Sequence, residues 1–338
     1  MAKFDGSTAV AFATQSAEGT YNTTLDAITT VLVAADGLVL PTEEVKVKFA
    51  RDEEGPAAVA GSFTKPLGTF KRRTVSSLEV AVQFCGNRSN ASNPPVDADF
   101  VPITGLNALL QGVGMTGAAW GSGVGQLHVY ASPNPISCLL YHNGRRYELL
   151  DCRVSGEINF DSGSVPIFKA KVEVGSIKDQ TEVGLPTTLT YGVQATVSAP
   201  IVESVANLWS TTRGFATLKL SFDQKIDDVP DSNVATGFLK DKTERVTGID
   251  VVIYTDDADE DFADTQLAVT SSGALAQISF QVGASGTASN PMKAVQIVGA
   301  QPVILEVEPV RIGSKAADHI TAELRHDTAN AELEIRFR

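Results

Sequence analysis

Segment after segment of this chain alternates apolar and polar residues with a period of two. Val45-Lys46-Val47-Lys48-Phe49, Leu78 to Phe84 (LEVAVQF) and Phe168 to Val174 (FKAKVEV) each put apolar side chains on one face and polar ones on the other. The habit returns in Leu218 to Phe222 (LKLSF), Ile278 to Val282 (ISFQV) and Leu333 to Phe337 (LEIRF). Successive side chains of a strand point to opposite faces, so the spacing predicts antiparallel strands with one face in a core and one in water. The expected class is mainly β, an antiparallel sandwich or barrel.

Two features punctuate the strands. Asn143-Gly144 stands between two strand-like runs, and both residues accept the positive φ that a two-residue hairpin turn requires. Leu106, Leu109, Leu110 and Val113 recur at intervals of three and four, which predicts one short α-helix at about 105–114.

The end of that helix resembles a phosphate-binding loop, since Gly112, Gly114 and Gly117 fit the spacing Gly-x-Gly-x-x-Gly. A dinucleotide loop needs a strand before the glycines and a helix after them. Here a helix precedes them, Gly121, Gly123 and Gly125 break the next segment, and Ser132 to Leu140 holds no acid to meet a ribose. The glycines are expected to serve backbone geometry. Asp257 to Asp261 resembles the start of a calcium loop, but Phe262 occupies the glycine position and Ala268 the bidentate glutamate position. His128, His142, His319 and His326 lack ligand spacing, and no serine lies in a Gly-x-Ser-x-Gly turn. The residues single out no catalytic, cofactor-binding or metal site, and the expectation is a protein that is not an enzyme and carries no cofactor.

Charge narrows the partners. Forty acids against 27 bases give −13 over 338 residues, which argues against a groove that grips phosphates. Residues 1–180 carry −3 and residues 181–338 carry −10. Asp256, Asp257, Asp259, Glu260, Asp261 and Asp264 form a candidate acidic surface or lumen. Cys85, Cys138 and Cys152 are odd in number and make no Cys-x-x-Cys pair, against a disulfide framework or zinc knuckle. No apolar run approaches the ~18 residues of a membrane span, and MAKFDGSTAV lacks the apolar core of a leader. A soluble protein made in the cytoplasm, with no membrane partner, is expected.

The order of segments is more specific than any motif. QSAEGT (Gln15 to Thr20) is followed by VKVKFA, a long polar loop, SSLEVAVQF, Cys85-Gly86 with a polar loop, and GLNALLQGVGM. Then come the hairpin LLYHNGRRYELLDCRVSGEINFDSG and the strand VPIFKAKVEVG, with Gly156, Ile158, Phe160, Asp161 and Phe168 in place. This succession resembles the major tail tube proteins of long, non-contractile tailed bacteriophages, well over the first 180 residues and loosely beyond. The resemblance implies a structural virion protein: rings of self-associated chains stack into a tail tube, assembled in the host cytoplasm, through which phage DNA passes without tight binding. Tail-tip, terminator and tape-measure proteins are the further partners it implies. It also makes the N-terminal arm and the loop from Arg51 to Pro66 candidates for ring stacking, with Arg51, Asp52, Glu53, Glu54 and Lys65 the charged contacts.

One tube domain would fill residues 1–180, yet residues 181–338 follow after the connector VGLPTTLTYG. Asn233 to Tyr254 echoes Val59 to Phe84, and VILEVEPVRIGSKAADHITAELR echoes YELLDCRVSGEINFDSGSVPIFKAKVEV, which suggests a diverged second tube domain. The resemblance implies rings of six domains with roughly four wall strands each, so three two-domain chains would close about 24 strands. If residues 181–338 only decorate the outside, six chains are needed. The competing class, a secreted adhesin or carbohydrate-binding sandwich, calls for a leader, paired cysteines and exposed aromatics, and the chain has only Trp120 and Trp209 as tryptophans.

Overall fold

The computed structural model describes residues 8–26, 28, 30–50, 53–54, 69–70, 74–84, 104–119, 126–130, 134–161, 164–191, 205–208, 211–230, 238–255, 278–282, 295–299, 301–325 and 333–337. The chain opens with β1 (Thr8–Thr14), α1 (Thr23–Asp26), β2 (Val31–Val33), β3 (Lys46–Ala50), the short β4 (Glu53–Glu54) and β5 (Thr69–Phe70), and β6 (Thr74–Gln83). The helix α2 (Thr104–Gly112) leads to β7 (Met115–Ala119), β8 (Gln126–Tyr130), β9 (Ile136–His142), β10 (Arg145–Asp161), β11 (Ile167–Glu173), β12 (Ser176–Thr181) and β13 (Thr188–Thr190). Beyond lie β14 (Val205–Leu208), β15 (Thr211–Arg213), β16 (Phe215–Pro230), β17 (Phe238–Tyr254) and β18 (Ile278–Val282). The last strands are β19 (Val295–Gly299), β20 (Gln301–Ile312), β21 (Lys315–Arg325) and β22 (Leu333–Phe337). The class is mainly β and antiparallel, as the alternation predicted.

Eight strands form one continuous wall in the order β20-β21-β17-β16-β10-β11-β6-β3. The alternating segments bury one face of it: Leu78, Val80 and Val82 on β6, Phe168, Ala170 and Val172 on β11, Leu218, Leu220 and Phe222 on β16. Two layers cover that buried face. Over the first-half strands lie α2 and the sheet β1-β9-β10-β12, which adds Val10, Phe12, Ile136 and Leu140 to the core. Over the second-half strands lies the sheet β15-β14-β18-β19-β22-β8-β7, in which Phe280 meets Phe215 of β16 edge-on at 6.0 Å. Both large sheets draw strands from either side of residue 180, and β7 and β8 join the C-terminal β22.

β10 holds the two covering directions together. Its first part pairs with β9 and β12, and from Arg153 onward it pairs with β11 and β16. The pairing shifts between Leu149 and Cys152, where Asp151 adopts a φ of 50°, so the strand turns from one sheet into the other. QSAEGT is pinned to that bend. The Asp151 carboxylate accepts from Gly19 N–H at 2.8 Å and from Gln15 Nε2 at 3.3 Å, and Gln15 Oε1 accepts from Asp151 N–H at 3.2 Å. A second core cluster, with Tyr21, Leu25, Leu32, Leu139 and Tyr141, seals residues 21–38 against the outer face of β1 and β9.

The predicted helix and turn stand where expected. Leu106, Leu109, Leu110 and Val113 are all fully buried. Gly112 lets α2 approach β10, since a Cβ there would lie 2.5 Å from Val154 Cγ2, and Gly114, at a φ of 101°, ends the helix by donating to Gln111 at 3.0 Å. Asn143 and Gly144, at φ 49° and 74°, close the β9-β10 hairpin.

Candidate functional site: the polar face of the eight-stranded wall

The face of the wall opposite the core is a ladder of charges produced by the same alternation. Lys46 and Lys48 project from β3, Glu79 from β6, Lys169, Lys171 and Glu173 from β11, and Glu157, Asn159 and Asp161 from β10. On the second-half strands the same face carries Lys219 and Asp223 of β16, Asp250 of β17, Thr321, Glu323 and Arg325 of β21, and Glu306 and Glu308 of β20. Along its first-half part a groove of about 400 Å³ runs between β3 and β16.

Opposite charges meet across strands and, for Lys171 with Glu173, along one strand. Lys46 and Lys48 reach Glu79 at 3.5 and 3.3 Å, Lys171 reaches Glu173 at 2.9 Å, and Lys219 of β16 reaches Glu157 of β10 at 2.5 Å. His319 Nε2 lies 2.8 Å from Asp250 Oδ1. The hydrogen bond from Lys48 is the main influence holding the Glu79 carboxyl below its usual range. Burial raises Glu157, but the bonds from Lys219 and Asn159 outweigh it and leave that carboxyl lowered, while Lys219 is raised chiefly by its bond to Glu157. Exposed pairs of this kind contribute only about 0–1 kcal/mol each. Their effect is to favour this register and to neutralise part of the charge on the face.

The linkage has a definite sign. A carboxyl lowered in the folded state contributes stability that is complete above its unfolded value and is lost as pH falls through the folded one. The stability difference between wild type and Glu157→Gln is therefore expected to shrink between about pH 6 and about pH 3, read from urea midpoints at each pH. A difference that stays constant over that window would show that Glu157 is not held by Lys219.

The balance of charge is uneven along the wall. The first-half strands present four lysines (46, 48, 169, 171) and four carboxylates (79, 157, 161, 173). Among the described side chains the second-half strands present Lys219, Lys315 and Arg325 against five carboxylates (223, 250, 306, 308, 323). The acidic surplus of residues 181–338 is thus partly on this face.

Of the residues singled out from sequence, Asn143 and Gly144 form their turn at the end of β9 and β10, away from the wall's polar face. Glu53 and Glu54 lie in β4 and pair with Phe70 and Thr69 of β5. Arg51, Asp52 and Lys65 lie outside the described residues, as do Asp256, Asp257, Asp259, Glu260, Asp261 and Asp264. The Glu157–Lys219 pair was not legible, because its members are far apart in the chain and meet only when β16 docks on β10. Among the described residues no group of three or more His, Cys, Asp or Glu is gathered as for a metal ion. No helix among them is long and apolar enough to cross a membrane. Compared with known protein families and with curated protein sequences, the chain matches none.

Proposed function

We propose that this protein is the structural subunit of a phage tail tube, in which three chains close a ring and rings stack into a conduit for DNA. One observation carries the reading: the wall holds the same four-strand unit twice. The first half contributes β3, β6, β11 and β10 in that order across the wall, and the second half contributes β16, β17, β21 and β20. In each unit the first two strands in the chain are followed by the fourth and then the third. All neighbours are antiparallel, so the second unit repeats the first by a sideways step without reversal.

A unit that repeats by a sideways step generates a barrel when the step curves, and closure removes the edges at β3 and β20 that are unpaired among the described residues. Three copies supply roughly 24 strands. At ~4.8 Å between strands and a tilt of ~40° the circumference is about 150 Å and the backbone diameter about 48 Å. Inward side chains of roughly 5 Å leave a lumen near 38 Å, wide enough for a hydrated duplex. Lys46, Lys48, Lys171 and Lys219 are paired with carboxylates, and the described side chains of the face carry an acidic surplus, so DNA slides without being held. Stacking between rings falls to the N-terminal arm and to the loop from Arg51 to Pro66, as the family resemblance implies.

The test is the mass and shape of the isolated ring. Three copies of a 35.7 kDa chain weigh about 107 kDa and six about 214 kDa. Light scattering is expected to give the first value and negative-stain images a hollow ring. A particle of six chains would make residues 181–338 a decoration, and a chain that stays monomeric at all concentrations would remove the tube reading.

A further inference from the structure

We propose that the free edge of β20 joins the free edge of β3 on a second copy of this chain in the register that joins β10 to β16 within the chain, Glu308 facing Lys48. The inference rests on the ring assembly above and specifies its joint.

The two units superpose over the stretch around Lys46–Lys48 and Glu306–Val310, and differ by a bulge after Lys48 and another between Ile304 and Glu306. VSSLEVAVQ (Val75 to Gln83, within β6) matches VTGIDVVIY (Val246 to Tyr254, within β17), which lays Glu79 on Asp250. Lys46 is opposite Glu79, and Lys219 is opposite Asp250, so β3 falls on β16 with Lys46 on Lys219 and Lys48 on Ser221. Through β11 and β21, Glu173 falls on Glu323. Glu157 is opposite Lys169 and Glu308 is opposite His319, so β20 falls on β10 with Glu308 on Glu157.

Within the chain the joint between units sets Gly156 opposite Phe222, Glu157 opposite Ser221, and Asn159 opposite Lys219. Carried to the outer edges, the same register sets Glu308 opposite Lys48 of the second copy and Val310 opposite its Lys46. The inner joint is bridged diagonally by Lys219 and Glu157 at 2.5 Å. The outer joint repeats that bridge with Lys46 and strengthens it with Lys48.

The edges are complementary in charge. The side chains of Lys46, Lys48 and Glu308 are 70%, 63% and 58% exposed in the single chain. Pro302 and Pro309 of β20 have no N–H, a feature tolerated on edge strands that lowers the number of main-chain bonds a partner can make. Side-chain charge therefore carries more of the register here than at β10-β16, and indiscriminate edge pairing is discouraged.

The test is disulfide trapping in the full chain carrying Cys85→Ser. Residues directly opposite across antiparallel strands lie within disulfide reach. Glu308→Cys with Lys48→Cys is expected to give, on mild oxidation, covalent dimers and trimers and no larger species. Glu306→Cys with Lys48→Cys, two residues out of register, is expected to give none. Efficient trapping of the second pair and not the first, in particles of about 107 kDa, would overturn the register and spare the ring. A ladder running past three from the first pair would keep the register and overturn three-chain closure, and no assembly by the unaltered chain would overturn both. As a second measurement, Glu308→Lys is expected to abolish rings while leaving the β circular-dichroism spectrum unchanged, and adding Lys46→Glu and Lys48→Glu is expected to restore them at about 0.15 M salt. Rings formed by Glu308→Lys alone would overturn the charge pairing.

Discussion

Phe168→Ala is expected to lose about 3–5 kcal/mol of folding stability, one of the two largest effects foreseen for a single side chain of this protein. Phe168 is fully buried, opposite Ile158 of β10 on one side and Val82 of β6 on the other. Its ring meets that of Phe222 edge-on, with centroids 6.4 Å apart and planes at 79°. Phe222 belongs to β16, so this contact passes over β10 and packs one four-strand unit on the other. Truncation removes the transfer energy of the ring, leaves a void, and forfeits an aromatic pair contributing about 0.5–1.5 kcal/mol. The neighbourhood cannot close the void by enlarging β10, because a Cβ at Gly156 would lie 2.3 Å from the Lys169 carbonyl oxygen. Urea unfolding should show a lower midpoint at unchanged slope. A loss under about 1 kcal/mol would mean that the seam between the units is not packed through this ring.

Glu148→Ala is expected to cost about 3–5 kcal/mol for an electrostatic reason. Glu148 is buried in β10, and its carboxylate meets Arg146 of the same strand and Lys178 of β12, the latter at 3.2 Å. The Arg146 side chain is itself only 13% exposed, so removing the carboxylate leaves a largely buried cation without its partner. Lys178 also pairs with Asp26 and stands 4.8 Å over the Tyr21 ring, which ties residues 21–26 to the sheet. The bond to Asp26 is the main influence raising the Lys178 pKa, with burial opposing and Glu148 assisting. A raised amine contributes fully below its unfolded value and loses that contribution as pH rises through the folded one. Amide exchange in residues 15–41 should accelerate in the variant before global unfolding. Equal protection in variant and wild type would place the cluster outside the attachment of this segment.

Much of the secondary structure was open to reading. A strand with one wet face must alternate, so KVKFA, LEVAVQF, FKAKVEV and LKLSF declared both their conformation and which side chains would be buried. Asn143-Gly144 declared a hairpin because few residues tolerate two consecutive positive φ values, and the leucine spacing declared α2. The echoing stretches Val59–Phe84 and Asn233–Tyr254 end in the strands β6 and β17, both of which belong to the wall.

Neighbours were another matter. A period of two assigns a residue to a face but says nothing about which strand lies alongside, and any two alternating strands satisfy the same local rule. That β16 docks on β10, that β8 pairs with the C-terminal β22, and that β10 bends at Asp151 to serve two sheets were decided by how the apolar faces could all be covered at once. The charged ladder has the same division of origin. Alternation determined that Glu157 and Lys219 would face solvent, whereas their meeting at 2.5 Å depends on the packing of Phe168, Phe222 and their neighbours on the other side of the wall. Hydrophobic burial is proportional to area and blind to partner, so the chain alone settled the faces and the three-dimensional fit settled the order of the strands.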